Sequence, residues 1–336
     1  MKNFVNFLKY QLFLVAGQCL GYRAMWNRLR TKGVVISRES VRLALRFLDE
    51  EGVQIRHRRR LRRRSYANPG PNFCWHADGY DKLKRFGFAI HGCIDGFSRK
   101  VLWLHVGPTN NHPQVTALYF VRTMLELKKM PTLLRCDRGT ENVHLEKIQK
   151  FLRKDGTDAF SGMNSFLYGR STANQRIESW WSVLRKQLAN FWINRFKDMQ
   201  EIGILNIDDP VHVESLRFCF MALLQDELNR QMLEWNVHCI QSRKKHGLLG
   251  GKPDKMFFLP EQFNAQSYEC PVEESVLCEL EMELSLDEGD PHVVQPDFVK
   301  LVTVLIPTWK EPSSFDEGLQ LFRDVTLAIA VFEQNH

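Results

Sequence analysis

The sequence predicts a mixed α/β layer fold whose first three strands are antiparallel. Three observations carry this. Short apolar runs at residues 73–78, 87–95 and 100–107 follow one another between turn residues and read as strands. Helical periodicity then spans residues 112–129. A fourth apolar run at 132–137 is followed by a second helical stretch at 141–154. Three strands, helix, strand, helix is an order that layers helices against a sheet.

The chain has 336 residues, 44% of them hydrophobic, enough for at least one sizeable core and two or three domains. Its formal net charge of +7 is unevenly spread. Seven arginines fall within residues 56–64, whereas residues 269–297 carry ten acidic residues and neither Lys nor Arg. A basic block beside a globular region calls for a polyanion, with nucleic acid first, and the same residues suit a nuclear-import signal. Eight cysteines without a CxxC pair do not form a disulfide framework and point to a reducing, intracellular or nuclear location. Polar residues interrupt the apolar N-terminus, which falls short of the ~20 apolar residues of a membrane span.

Ahead of the strands, residues 21–33 and 37–52 read as two helices. Gly33 stops the first and Ser37 caps the second. Val41, Leu45 and Leu48 give the second helix a buried stripe, and Arg38, Arg42 and Arg46 recur on another face. A helix pair with a cationic second helix suits a helix-turn-helix placed in a DNA groove. The arginine run and residues 65–72, with Pro69, Gly70 and Pro71, form a linker. The expected organisation is a helical, helix-turn-helix-like region at 1–55, a basic linker at 56–71, the α/β core at 72–195, a helical extension at 196–263, and an acidic, partly mobile tail at 264–336. Within the extension, residues 216–240 fit one long helix. In the tail, 298–307 reads as a strand and 314–332 as a last helix.

Asp78 ends the first apolar run, Asp137 ends the fourth, and each precedes a glycine turn. Strand ends beside loops are where an α/β fold gathers polar groups. If the first and fourth strands are neighbours, these carboxylates meet, and Glu178 on a later helix can join them. Three carboxylates suit hard divalent cations, and two such ions about 3.5–4 Å apart activate a nucleophile at phosphorus. Ile177, Trp181, Leu184 and Leu188 would hold that helix on the sheet, with Glu178, Ser182 and Arg185 on the adjacent face. Arg185 would then meet substrate phosphates. Asp81 and Asp95 compete as ligands, although Asp95 sits in a sequence that a turn explains.

These motifs resemble the integrase core of retroviruses and retrotransposons and its transposase relatives. "WHAD" at 75–78 resembles the family's Trp-led strand ending in Asp, "DGFSR" at 95–99 its aromatic Ser-Arg turn, and "DRG" at 137–139 its Asp-x-Gly motif. Asn174 stands four residues before Glu178, and Arg185 seven after it, as in the family. The resemblance runs from about residue 72 to 190 and more loosely to 263. It extends to animal proteins that carry this core and look derived from mobile elements, and the helix pair resembles that of insertion-sequence transposases. It implies a ribonuclease-H-like fold with a mixed five-stranded sheet flanked by helices. It also implies two Mg²⁺ or Mn²⁺ ions held by Asp78, Asp137 and Glu178, and cleavage and joining of DNA strands. Two features depart from the family. Glu178 follows Asp137 by 41 residues, a longer interval than is usual, which a loop at 155–166 can absorb. No His-His-Cys-Cys zinc module precedes the core.

The function expected is therefore an integrase- or transposase-derived DNA-binding protein that acts as a metal-dependent polynucleotidyl transferase or endonuclease. The alternative is a domesticated, non-catalytic nucleic-acid-binding or adaptor protein that keeps the fold. The nucleic-acid contacts expected are Arg38, Arg42, Arg46, Arg58, Arg59, Arg60, Arg62, Arg63, Arg64, Asn174 and Arg185. DNA is the main partner, RNA a second candidate, with a homo-oligomer if the enzyme is active and no membrane partner.

Overall fold

A computed structural model describes residues 20–49, 68–169, 174–242, 249–285 and 294–335. The arginine run, with Arg58, Arg59, Arg60, Arg62, Arg63 and Arg64, lies outside the described residues.

Helices α1 (Tyr22–Thr31) and α2 (Arg38–Leu48) form the expected pair. Gly33 closes the first turn at a φ of 77°, and the Ser37 side chain accepts from the Ser40 backbone N–H at 3.0 Å. Leu20, Met25, Leu29, Val41 and Leu45 make a small core between them.

The central sheet comprises β1 (Cys74–Tyr80), β2 (Ala89–Asp95), β3 (Val101–Gly107), β4 (Leu133–Cys136) and β5 (Phe166–Tyr168). Its strand order is β3-β2-β1-β4-β5. The first three strands pair antiparallel, as the sequence predicts, while β4 runs parallel to β1 and β5 parallel to β4. The mixed five-stranded sheet flanked by helices is the ribonuclease-H-like architecture. β5 is not legible as a strand in the sequence because it is only three residues long and takes its partners from β4.

Side-chain alternation gives the sheet two faces. Trp75, Ala77, Cys93, Trp103 and Leu134 belong to a core with helices α3 (Pro113–Leu127) and α4 (Val143–Leu152). The opposite face places Tyr80, Ile90, Ile94 and Leu104 in a larger core with the helices that follow β5. These are α5 (Gln175–Leu184), a π-helical segment at Arg185–Ala189, α6 (Asn190–Glu201) and the 28-residue α7 (Pro210–Val237). The long helix read at 216–240 is thus present, starting six residues earlier behind an Asp209 cap.

Past α7 come α8 (Pro253–Phe258), α9 (Glu274–Ser285), α10 (Pro296–Leu305) and α11 (Phe315–Asn335). One expectation for this region fails. Residues 298–307 are not a strand. Phe298, Leu301, Val302 and Leu305 recur at helical spacing and pack on the larger core, so tertiary burial outweighs their β-branched composition. Part of the acidic stretch forms a packed helix. Leu277, Leu280 and Leu284 of α9 pack with the α3 core, and Glu281 takes Arg122 at 2.8 Å. The acids line the outer side of a helix whose leucines face inward.

Candidate active site

Parallel pairing of β1 and β4 decides where the carboxylates lie. The register matches His76 with Arg135, so Asp78 and Asp137, each two residues further on, emerge at the same end of neighbouring strands. Asp137 directly follows β4, as expected. Asp78 is not the last residue of its strand, because β1 continues through Gly79 to Tyr80. Its carboxyl therefore projects from the sheet face, towards α5, and not from a loop.

Asp78 is only 7% exposed. Trp181, on the second turn of α5, donates from Nε1 to Asp78 Oδ2 at 2.9 Å. Sequence spacing shows Trp181 only as an apolar anchor, yet a buried indole N–H needs an acceptor, which is the signal that could have found this bond. Gly92 makes the approach possible. It faces Asp78 across the β1–β2 pair, and a Cβ there would stand 2.8 Å from Trp181 Cη2. Burial pushes the Asp78 carboxyl up to about 7. The Trp181 hydrogen bond opposes this, and the charges of Glu178 and Asp137 reinforce it.

A second lock sets the start of α5. Asn174 is wholly buried, its Nδ2 donating to the Ala77 carbonyl at 2.9 Å and its Oδ1 standing 2.7 Å from His76 Nδ1. With the amide oriented by Ala77, His76 donates from Nδ1. Burial lowers the His76 pKa to about 3, so the ring is neutral. Asn174, expected against nucleic acid, has both ends of its amide engaged inside the protein. The Glu178 backbone N–H bonds back to the Asn174 carbonyl at 3.2 Å, closing the first turn. Ile177, Trp181, Leu184 and Leu188 are all buried, as the apolar stripe requires.

Glu178 is half-buried, and its pKa is raised by burial and by Asp137, while Lys82 pulls it down. The charges of Asp137 and Glu178 thus act on Asp78, and that of Asp137 on Glu178, from separate elements. Sequence reasoning missed Lys82, in the loop after β1, and Glu141, whose pKa rises through burial and the charges of Asp137 and Asp81. Asn142 donates to Asp137 Oδ1 at 3.1 Å and to Glu141 Oε1 at 3.1 Å, tying both to the start of α4. The competing Asp95 is a turn former. It is fully buried and accepts from the backbone N–H groups of Asn72, Phe97 and Ser98. The oxygen donors at the strand ends are of the kind Mg²⁺ and Mn²⁺ prefer. Among the described residues, however, no three His, Cys, Asp or Glu side chains stand close enough together to hold one metal ion.

The cationic residues are dispersed. Arg185 is exposed where α5 gives way to the π-helical segment, and its charge reaches Tyr80 at the end of β1. On α2, Arg42 pairs with Glu39, Arg38 lies over the Trp26 ring at 4.4 Å, and Arg46 is exposed. No described helix is long and apolar enough to cross a membrane.

The sheet order, the parallel β1–β4 contact and the flanking helices define a ribonuclease-H-like fold of the integrase type. A family model described as integrase core domain matches residues 65–257, more than half of the chain, and the chain belongs to that family. No curated protein matches it.

Proposed function

We propose that the protein is a metal-dependent polynucleotidyl transferase or endonuclease acting on DNA phosphodiesters. The observation that supports this most is the parallel β1–β4 register, which brings Asp78 and Asp137 out at the same end of neighbouring strands, with the helix that carries Glu178 tied to Asp78 through Trp181. These residues would hold the ions. The chemistry supplied by bound Mg²⁺ or Mn²⁺ is activation of water or a DNA 3′-hydroxyl for in-line attack, with stabilisation of the leaving oxygen. Trp181 keeps one oxygen of Asp78 in a fixed direction, and the Asn174–His76 lock fixes the helix start that carries Glu178. Lys82 and Arg185 supply positive charge for substrate phosphates. Residues 56–64 add sequence-independent DNA affinity and a nuclear address, and the active form is a homo-oligomer.

A second reading has a specific observation behind it. The carboxylates are not drawn together as in a formed metal site, and burial of Asp78 disfavours the charged form that would hold a cation. That favours a non-catalytic DNA-binding protein. Strand cleavage and joining by purified protein, with Mn²⁺, Mg²⁺ or chelator, separates the two. For the enzyme, Asp78→Asn lowers strand transfer by at least ~10³-fold, with metal-free DNA binding unchanged. If the wild type processes no DNA end with either metal, and Asp78→Asn keeps every cellular effect, the binding-protein reading stands.

A further inference from the structure

A cleft of about 690 Å³ lies between α1 and the C-terminal end of α7, lined by residues of both. This is within the ~300–1,000 Å³ range of small-ligand pockets. Its charge is one-sided. Arg23, Arg30, Arg38 and Lys252 line it, and the carboxylate among its lining residues, Glu234, is already bound to the buried Arg28 at 2.8 Å. Among the described residues, neither Arg30, Arg38 nor Lys252 has a carboxylate within ion-pair distance. Arg30 and Arg38 are not loose surface charges. Their guanidinium carbons stand 4.7 Å and 4.4 Å from the centre of the Trp26 ring, whose Nε1 is anchored on the Ile36 carbonyl at 2.7 Å. Trp26 therefore holds two cations at the cleft and spares a ligand the entropy of ordering them.

A second, independent observation lies in the lining from α7. Gln231 is 3% exposed, and its Nε2 donates to Gln187 Oε1 at 2.7 Å. Its Oε1 has no hydrogen-bond partner. A buried amide oxygen left unpaired is destabilising, so an acceptor of this kind in a ligand-sized cleft calls for a donor from a ligand. Cations on a fixed platform suit phosphate, guanidinium planes stack on bases, and a glutamine amide bonds to base edges. An acidic peptide would use the cations and leave the amide unanswered. A duplex keeps its Watson–Crick edges paired and offers only groove edges, which an amide buried in a cleft does not reach.

We infer that this cleft binds an unpaired nucleotide, phosphate against Arg30 and Arg38 and base edge on Gln231, presented by a single-stranded segment or by a free nucleoside phosphate. The site shares no residue with the acidic cluster and works without metal. It stands if the proposed catalysis fails.

The test is fluorescence anisotropy in chelator with a labelled oligo-dT strand, a duplex of equal length, and ATP or an acidic peptide as competitor. Single strand should bind more tightly than duplex. Arg30→Gln with Arg38→Gln should weaken single-strand binding about 10-fold and flatten its log K versus log[salt] slope by about 1.4, a clearly larger loss than the same change causes for duplex. Gln231→Leu should cost about 3-fold without altering the slope. Displacement by ATP identifies a free nucleotide as sufficient, and its failure assigns the site to a strand. Equal losses for single strand and duplex, or displacement by the acidic peptide, would overturn the proposal. Should the double variant melt early, ultraviolet cross-linking of 5-iodouridine-substituted strand to the unmodified protein decides. Adducts on α1 or the end of α7 support the cleft, and adducts confined to other regions sink it.

Discussion

Trp181 Nε1 and Asp78 Oδ2 form a 2.9 Å hydrogen bond between α5 and β1, joining the helix that carries Glu178 to the strand that carries its partner carboxylate. The bond favours the charged form of Asp78, against the effect of burial. Trp181→Phe keeps most of the packing and removes the donor. The Asp78 pKa should rise further above its native value, readable by carboxyl NMR in metal-free protein. Stability should fall by about 1–3 kcal/mol in denaturant unfolding. An unchanged Asp78 titration would show the bond to be incidental.

Gly92 should tolerate no side chain. In Gly92→Ala the new methyl would meet Trp181 Cη2 at 2.8 Å and Leu104 Cδ1 at 3.2 Å, so the indole must shift. Overpacking of this kind costs about 1–3 kcal/mol, and here it also loosens the Asp78 hydrogen bond. The expected result is a lowered melting temperature with an Asp78 titration shifted upward, as in Trp181→Phe. A melting temperature equal to that of the wild type would mean the sheet relaxes around the methyl.

Asp78 sets a pH dependence whose sign is opposite to that of a salt-bridged carboxylate. Its folded pKa of about 7 lies above the ordinary 3.8 of an unfolded aspartate. Its contribution to stability is therefore full below about pH 4 and declines as pH rises towards 7. Glu178, also raised, acts in the same direction. The buried His76, held to about 3, acts oppositely, losing stability as pH falls below 6.5. Subtracting the Asp78→Asn curve isolates the aspartate. The difference should change by a few kcal/mol between pH 4 and 7, because a tenfold change in proton affinity is worth ~1.4 kcal/mol. Millimolar Mg²⁺ should reduce the loss at high pH if the carboxylates hold the ion. A flat difference curve contradicts the buried, raised carboxyl.

Asn174 should behave as a positioning residue. In Asn174→Ala the Ala77 carbonyl and His76 Nδ1–H both lose partners in the interior, a loss of about 2–4 kcal/mol for two orphaned groups. Metal-free DNA binding should stay at the wild-type level because the residue is wholly buried. A large fall in DNA affinity with unchanged stability would return Asn174 to the nucleic-acid interface.

The order of strands and helices, the apolar stripe of Ile177, Trp181, Leu184 and Leu188, and the candidate carboxylates could be read from the chain alone. Each is a local pattern of spacing or a residue beside a turn, and local patterns survive without coordinates. The β1–β4 pairing was legible only as a condition, because a parallel contact between strands some sixty residues apart leaves no trace in either one. Residues 298–307 mislead because β-branched composition and helical spacing coincide there, and only the core under α10 decides between them. Tertiary structure alone decided that Asp78 is buried under an indole, that Asn174 turns inward to His76, and that the Lys82 charge acts on Glu178. These are contacts between elements distant in sequence. Their energies come from desolvation and charge at the point of meeting, quantities that no window along the chain contains.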